Sequence, residues 1–314
     1  MKTFAVALLA LGFSARAAEP ADAFRGWSAF ERIDLAKLAK GKVVTEGNSS
    51  MNFARGISVQ AVYVVAAPLD VASRVLLASD PTKHKELEVY QHRQFQNERE
   101  AEFDKLKLDP KLSAVRNLLE ALKTRDGLHL SSDESARLPK AATPDDAQRF
   151  FAGILRERWG RLAQRGEFDM RGEIQSLLGD ERRIAGHFAA LLAPLTQPAA
   201  PHAPAAYYWN LSNVNKIATL ELGAVHTRTG EGVRHVLELT CYASSGYLAS
   251  LTLYELVPIT LAGRPATLVW QGCLVSSEQL AGALGLKKPI AVRLMAGDLE
   301  DSIHIFQRDA AAAQ

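Results

Sequence analysis

The chain has 314 residues, 47% hydrophobic and 23% charged, a globular balance that excludes disorder as its main state. Its formal charge is +2, and loss of the first 17 residues removes Lys2 and Arg16 with no acidic residue, leaving 35 basic against 35 acidic side chains. Such neutrality gives no electrostatic footprint for nucleic acid or an anionic membrane, so neither is an expected partner.

Lys2, the ten-residue apolar run FAVALLALGF and the small-x-small step Ala15-Arg16-Ala17 read as a secretory signal peptide over residues 1–17. The run is too short to cross a bilayer, and no later stretch reaches the roughly 20 apolar residues a span needs. The expected mature protein has no membrane span and is periplasmic or secreted. No cysteine stands at the cleavage point, so no lipid anchor is expected.

Residues 18–96 open with a broken helical pattern at 19–41, and KVVTEG at 42–47 suits a short strand. ISVQAVYVVAA at 57–67 is rich in β-branched residues on a mostly alternating pattern, with Val59, Ala61, Tyr63 and Val65 on one face. Pro68 ends that strand and suits the first turn of a helix with Val71, Val75 and Leu76 inside. ELEVYQHRQF at 86–95 reads as a second strand.

The texture turns helical over residues 97–196. Leu112, Val115, Leu118, Leu119 and Leu122 form one stripe, and Ser131-x-x-Glu134 has the form of a capping box. Thr143-Pro144 opens a longer helix with an inner face of Ala147, Phe150, Phe151, Ile154, Leu155 and Leu162, ended by Gly166. Two further helices are expected at 172–178 and 180–192. Residues 197–206, with three prolines, read as a semi-extended linker.

Residues 207–314 read as an antiparallel meander followed by a helix. Strands are expected at 215–228, 233–243, 247–257 and 267–275, with turns at TGEG and SSG and a longer loop at LAGRP. Ser276-x-x-Gln279 is a cap for the last helical region, whose entry is broken by Gly282, Gly285 and Pro289. Beyond it, Val292, Met295, Leu299, Ile303 and Phe306 step by three and four along one stripe.

Strand, helix and a later antiparallel meander closed by a long helix resemble the START-like, or helix-grip, superfamily of lipid-transfer domains, polyketide cyclases and plant hydrophobic-ligand binders. ISVQAVYVVAAPLDVASRVLLASD carries the likeness to its opening strand, its proline step (Pro68-x-x-Val71) and its first helix. SLTLYELVPITLAGRPATLVWQGCLVSSEQLAGALG carries the likeness to its last hairpin and closing helix. The resemblance implies an α+β fold in which an antiparallel sheet packs on a long C-terminal helix. Residues 18–96 and 207–314 would form that domain, with 97–196 a helical insertion foreign to the minimal fold.

A groove between sheet and helix is the first candidate site. On alternation, Glu238, Thr240 and Tyr242 share one face of their strand, Thr252 and Tyr254 one face of the next, and Leu268, Trp270 and Leu274 one face of the last. Met295 and Leu299 approach from the helix. Alternation does not say which faces look inward, and a fully packed core is the opposing reading. The ligand expected of such a groove is an apolar small molecule or lipid.

His84, Glu86, Glu88 and His92 suggest a metal, but no HExxH or CxxC spacing accompanies them, and a solvated strand face is the expectation. Cys241 and Cys273 lie on strands with another expected between them, about 10 Å apart and beyond disulfide reach, so two buried thiols are the expectation and a disulfide the alternative. No GxSxG, GxGxxG or phosphate loop occurs, so neither a catalytic residue nor a cofactor is assigned. Three functions remain open. The first is a non-catalytic carrier, gated by the helical insertion or by residues 282–289. The second is a cyclase- or hydrolase-like enzyme on the same scaffold, using His226 or Glu238 with Tyr242. The third is an envelope interaction module exposing Phe150, Phe151 or Trp159.

Overall fold

The computed structural model describes residues 28–30, 32–48, 55–139, 143–164, 205–230, 232–280 and 287–314. The expected signal peptide, the helices at 172–178 and 180–192, Gly166, most of the linker, Gly282 and Gly285 lie outside them. The fold is α+β: one open, eight-stranded antiparallel sheet with a long C-terminal helix.

In chain order the strands are β1 (Val44–Asn48), β2 (Gly56–Val65), β3 (Val89–Phe95), β4 (Ala206–Val214), β5 (Ile217–Gly230), β6 (Val233–Ala243), β7 (Ala249–Leu261) and β8 (Arg264–Ser276). In space the order is β1-β2-β8-β7-β6-β5-β4-β3, so β2 pairs with the last strand and β3 with the first of the meander. The helices are α1 (Leu35–Leu38), α2 (Leu69–Leu77), α3 (Glu98–Ala101), α4 (Ser113–Thr124), α5 (Ser132–Ala136), α6 (Pro144–Gln164) and α7 (Lys287–Ala312). None of the described helices is long and apolar enough to cross a membrane.

Four local expectations are corrected. β4 is a full strand, YYWN included, where none was foreseen, and its junction with β5 is a two-residue turn with Asn215 (φ 52°) and Lys216 (φ 69°) left-handed. LAGRP is likewise no long loop. Ala262 (φ 47°) and Gly263 (φ 78°) make a tight turn whose positive φ values match the right-handed twist of the flanking strands. The strand foreseen from Glu86 begins at Val89, because Lys85–Leu87 form a 3-10 turn and Glu88 is left-handed. At the end of β8 it is Ser277, not Ser276, whose hydroxyl accepts the Gln279 N–H. Cys241 and Cys273 form no disulfide, and β7 lies between their strands.

Alternation along the strands divides the sheet into two faces. On the outer face, Leu237, Leu239, Leu251, Leu253, Leu268 and Trp270 join Val62 and Leu38 in one apolar cluster. Further along the same face, Trp209, Leu211, Leu220, Leu222 and Tyr242 meet Leu118, Phe151 and Leu155 of α4 and α6. The described helical block therefore shares a core with the sheet. On the inner face, Val59, Ala61, Tyr63 and Val65 of β2 pack with α2 and with Leu299 and Ile303 of α7.

Two caps foreseen in the block are present. Ser131 and Glu134 form a reciprocal capping box, and the Thr143 hydroxyl accepts the Asp146 N–H. Glu134 also receives two bonds from Arg158, at 3.0 and 2.6 Å, in a pair almost closed to solvent. The Arg158 guanidinium sits 4.0 Å above the Tyr242 ring, which ties the block to β6. Removing one partner strands a buried charge. Arg158→Ala is expected to cost about 3–5 kcal/mol by urea denaturation. Arg156→Ala, at the exposed pairs with Glu98 and Asp104, should cost at most about 1 kcal/mol.

Candidate functional site

α7 covers the inner face mainly over β1 and β2, and α2 lies over the neighbouring β7–β8 region. The inner face of β4–β7 is left partly uncovered, and there a cavity of about 350 Å³ opens. Its floor consists of Tyr208 and Asn210 from β4, Glu221 and Val225 from β5, Glu238 and Thr240 from β6, Thr252 and Tyr254 from β7, and Gln271 from β8. Leu76 and Leu77 of α2 with Ile303 and Phe306 of α7 supply apolar walls. The exposed Ser79 and Gln94 mark its rim, near His84, which bonds Asp309 of α7 at 2.9 Å.

Of the residues foreseen for this groove, Glu238, Thr240, Thr252 and Tyr254 line the cavity together. Tyr242 and Trp270 do not. Glu221 pairs with Ala243, Leu222 with Tyr242, but Gly223 with Thr240, so Cys241 is the extra residue of a β-bulge. The bulge shifts the alternation by one and turns Tyr242 onto the outer face, against Arg158. Trp270 shares a face with Leu268 and Leu274 as expected, but it is the outer one, where its indole N–H donates to Gln60. Met295 and Leu299 pack in the inner core nearer the start of α7, while Ser302, Ile303, Phe306 and Asp309 reach the cavity.

Sequence reasoning missed Tyr208, Asn210, Glu221, Tyr247 and Gln271. For the first two, the aromatic-rich YYWN run just after the prolines was an available signal. Gly223 opposite Tyr208 has a spatial reason: a Cβ there would collide with the Tyr208 ring and the Leu239 carbonyl.

The floor is polar and most of its groups hold one another. Tyr63 donates to Gln271 (3.0 Å), Tyr208 pairs with Thr240 (2.9 Å), and Ser250 donates to Thr240 (3.0 Å). Glu221 receives Asn210 (3.0 Å) and Ser212 (2.9 Å), and His92 is engaged with Asn210 (2.7 Å). Glu238 is the exception: its carboxyl accepts no hydrogen bond among the described residues, although the residue is largely enclosed. Burial pushes its pKa up from 4.5 to about 7.

Burial likewise holds the Tyr63, Tyr208, Tyr247 and Tyr254 phenols well above their usual range. Burial pushes the Cys273 thiol up to about 11, which keeps this wall group protonated at neutral pH. His226 lies outside the lining, on β5 beyond Val225. His84, Glu86, Glu88 and His92 do not converge, and no metal-holding cluster of three or more such side chains occurs among the described residues.

No protein-family model matches the sequence, and comparison with curated proteins gives no match.

Glu238 leaves a signature on stability. The unfolded chain releases this proton near pH 4.5, the folded protein only near 7. Between those values the unfolded state binds fewer protons, so stability falls as pH rises through the window and levels off above it. Glu238→Gln removes that slope. The variant should match the parent below about pH 4.5 and exceed it by on the order of 2 kcal/mol at pH 8, a figure discounted because the carboxyl is open to the cavity. Urea midpoints across this range check it, and parallel pH profiles would count against a buried, unpaired Glu238.

Proposed function

We propose that this chain is an exported binding protein of helix-grip type that holds one small amphipathic molecule between its sheet and α7. The carrying observation is the cavity of about 350 Å³, with a hydrogen-bonding floor on β4–β8 and apolar walls from α2 and α7. Sites for small molecules combine an apolar enclosure with a few convergent polar groups in this way. The ligand's apolar part would lie against Leu76, Leu77, Ile303 and Phe306, and its polar end would meet Glu238, Thr252 and Tyr254. A wholly apolar lipid tail would leave the Glu238 carboxyl without a partner, at a cost of roughly 1–3 kcal/mol.

The strand–helix–meander–helix order supports the helix-grip assignment, and the apolar leader supports export. The described helical block lies on the outer face, so it is no lid for this cavity. Phe151 is buried in that block, and Trp159 meets Phe95 and Tyr207 edge to face. Phe150 and Trp159 are half-buried at the edge of the same core.

Acid–base catalysis is the second reading, and one observation favours it: the Glu238 carboxyl lines the cavity without a hydrogen-bond partner among the described residues, with burial pushing its pKa up toward neutrality.

Filling the cavity tests the proposal. Thr252→Trp is expected to weaken binding of the neutral fluorescent probe N-phenyl-1-naphthylamine at least tenfold. Thr260→Trp, at an exposed position on the same strand, should leave it unchanged. Equal binding by the parent and both variants would move any ligand site elsewhere.

A further inference from the structure

We propose that the molecule held in this cavity is an organic cation, its protonated amine seated against Glu238 with an apolar tail along α2 and α7. The inference rests on the binding reading above and names its ligand class. Three carboxyl groups line the cavity, and no lysine or arginine lines it among the described residues. Two of the three are already answered. Glu221 accepts from Asn210 and Ser212, and Asp309 is paired with His84. Glu238 alone has no hydrogen-bond partner among the described residues, and it stands in the middle of the floor.

A largely enclosed carboxylate is stable as an anion when a cation or several donors meet it. Among the described residues no neighbouring side chain donates a hydrogen bond to Glu238. Tyr63 donates its hydroxyl proton to Gln271, Tyr208 is bonded to Thr240, and Cys273 faces Thr252 and Gln271. An ammonium head brings the missing charge and three N–H donors together. Tyr63, Tyr208 and Tyr254 border the same space, and aromatic rings beside a carboxylate suit a cation rather than an anion. A fatty-acid carboxylate in the same place would set two like charges together in an enclosed site, which selects against anionic lipids.

The test compares three probes of one chain length, octylammonium, octanol and octanoate, by isothermal titration calorimetry at pH 8 on the full protein and on Glu238→Gln. Octylammonium should bind at least tenfold more tightly than octanol, and octanoate should bind most weakly. In Glu238→Gln the preference should vanish, with octylammonium falling to the affinity of octanol while octanol is unaffected, which also shows that the variant's cavity is intact. Should Glu238→Gln fail to fold, Glu238→Asp replaces it, with a reduced but surviving preference expected. Octanol or octanoate binding as tightly as octylammonium overturns the cation assignment and leaves the cavity reading standing. If none of the three probes binds, both fall.

Discussion

Each strand of an antiparallel sheet offers its side chains alternately to two faces, and this chain covers the two faces with different material. The outer face receives leucines, Trp270 and Tyr242, buried beneath the N-terminal segment and the α3–α6 block. The inner face is apolar where α7 and α2 lie over it and polar where β4–β7 run beyond their reach. One helix crossing a sheet wider than itself leaves a space. The residues facing that space are tyrosines, threonines and glutamates, where a closed core would have leucines.

That polar composition has an energetic meaning. Enclosed polar groups are tolerated when they satisfy one another, and the bonds among Tyr63, Gln271, Tyr208, Thr240, Ser250, Asn210 and Glu221 do so. A single carboxyl left out of such a network costs stability that a leucine or glutamine at position 238 would not. Sites that bind or react commonly hold this kind of local cost, which a ligand relieves. Glu238 has that character, while the more deeply buried Glu134 is engaged by Arg158 and its own capping box and works as a structural tie.

Much of the frame was legible from residue order. β2 and α2 announced themselves through β-branched alternation and Pro68, and Ser131 and Thr143 marked helix starts by their hydroxyls. β6 and β8 fell close to their expected places. What escaped depends on local backbone choices with little residue signature. A bulge at Cys241 inverts the facing of Tyr242, yet nothing in TCYA distinguishes it from plain alternation. Ala262 and Asn215 adopt left-handed φ in tight turns, where glycine is the usual marker. The sides taken by Trp270 and by Tyr254 follow from where α7 and the helical block dock, which pairs residues hundreds of positions apart and has no local trace.

If the space beside α7 is a working site and no mere gap in packing, it holds a ligand in the cell. Native mass spectrometry of the protein purified gently from the cells that make it tests this most directly. A retained mass increment that is lost on denaturation and absent from the Thr252→Trp variant is the expected result. An increment that survives in Thr252→Trp, or a clean polypeptide mass in the parent protein together with no uptake of amine probes, would contradict it.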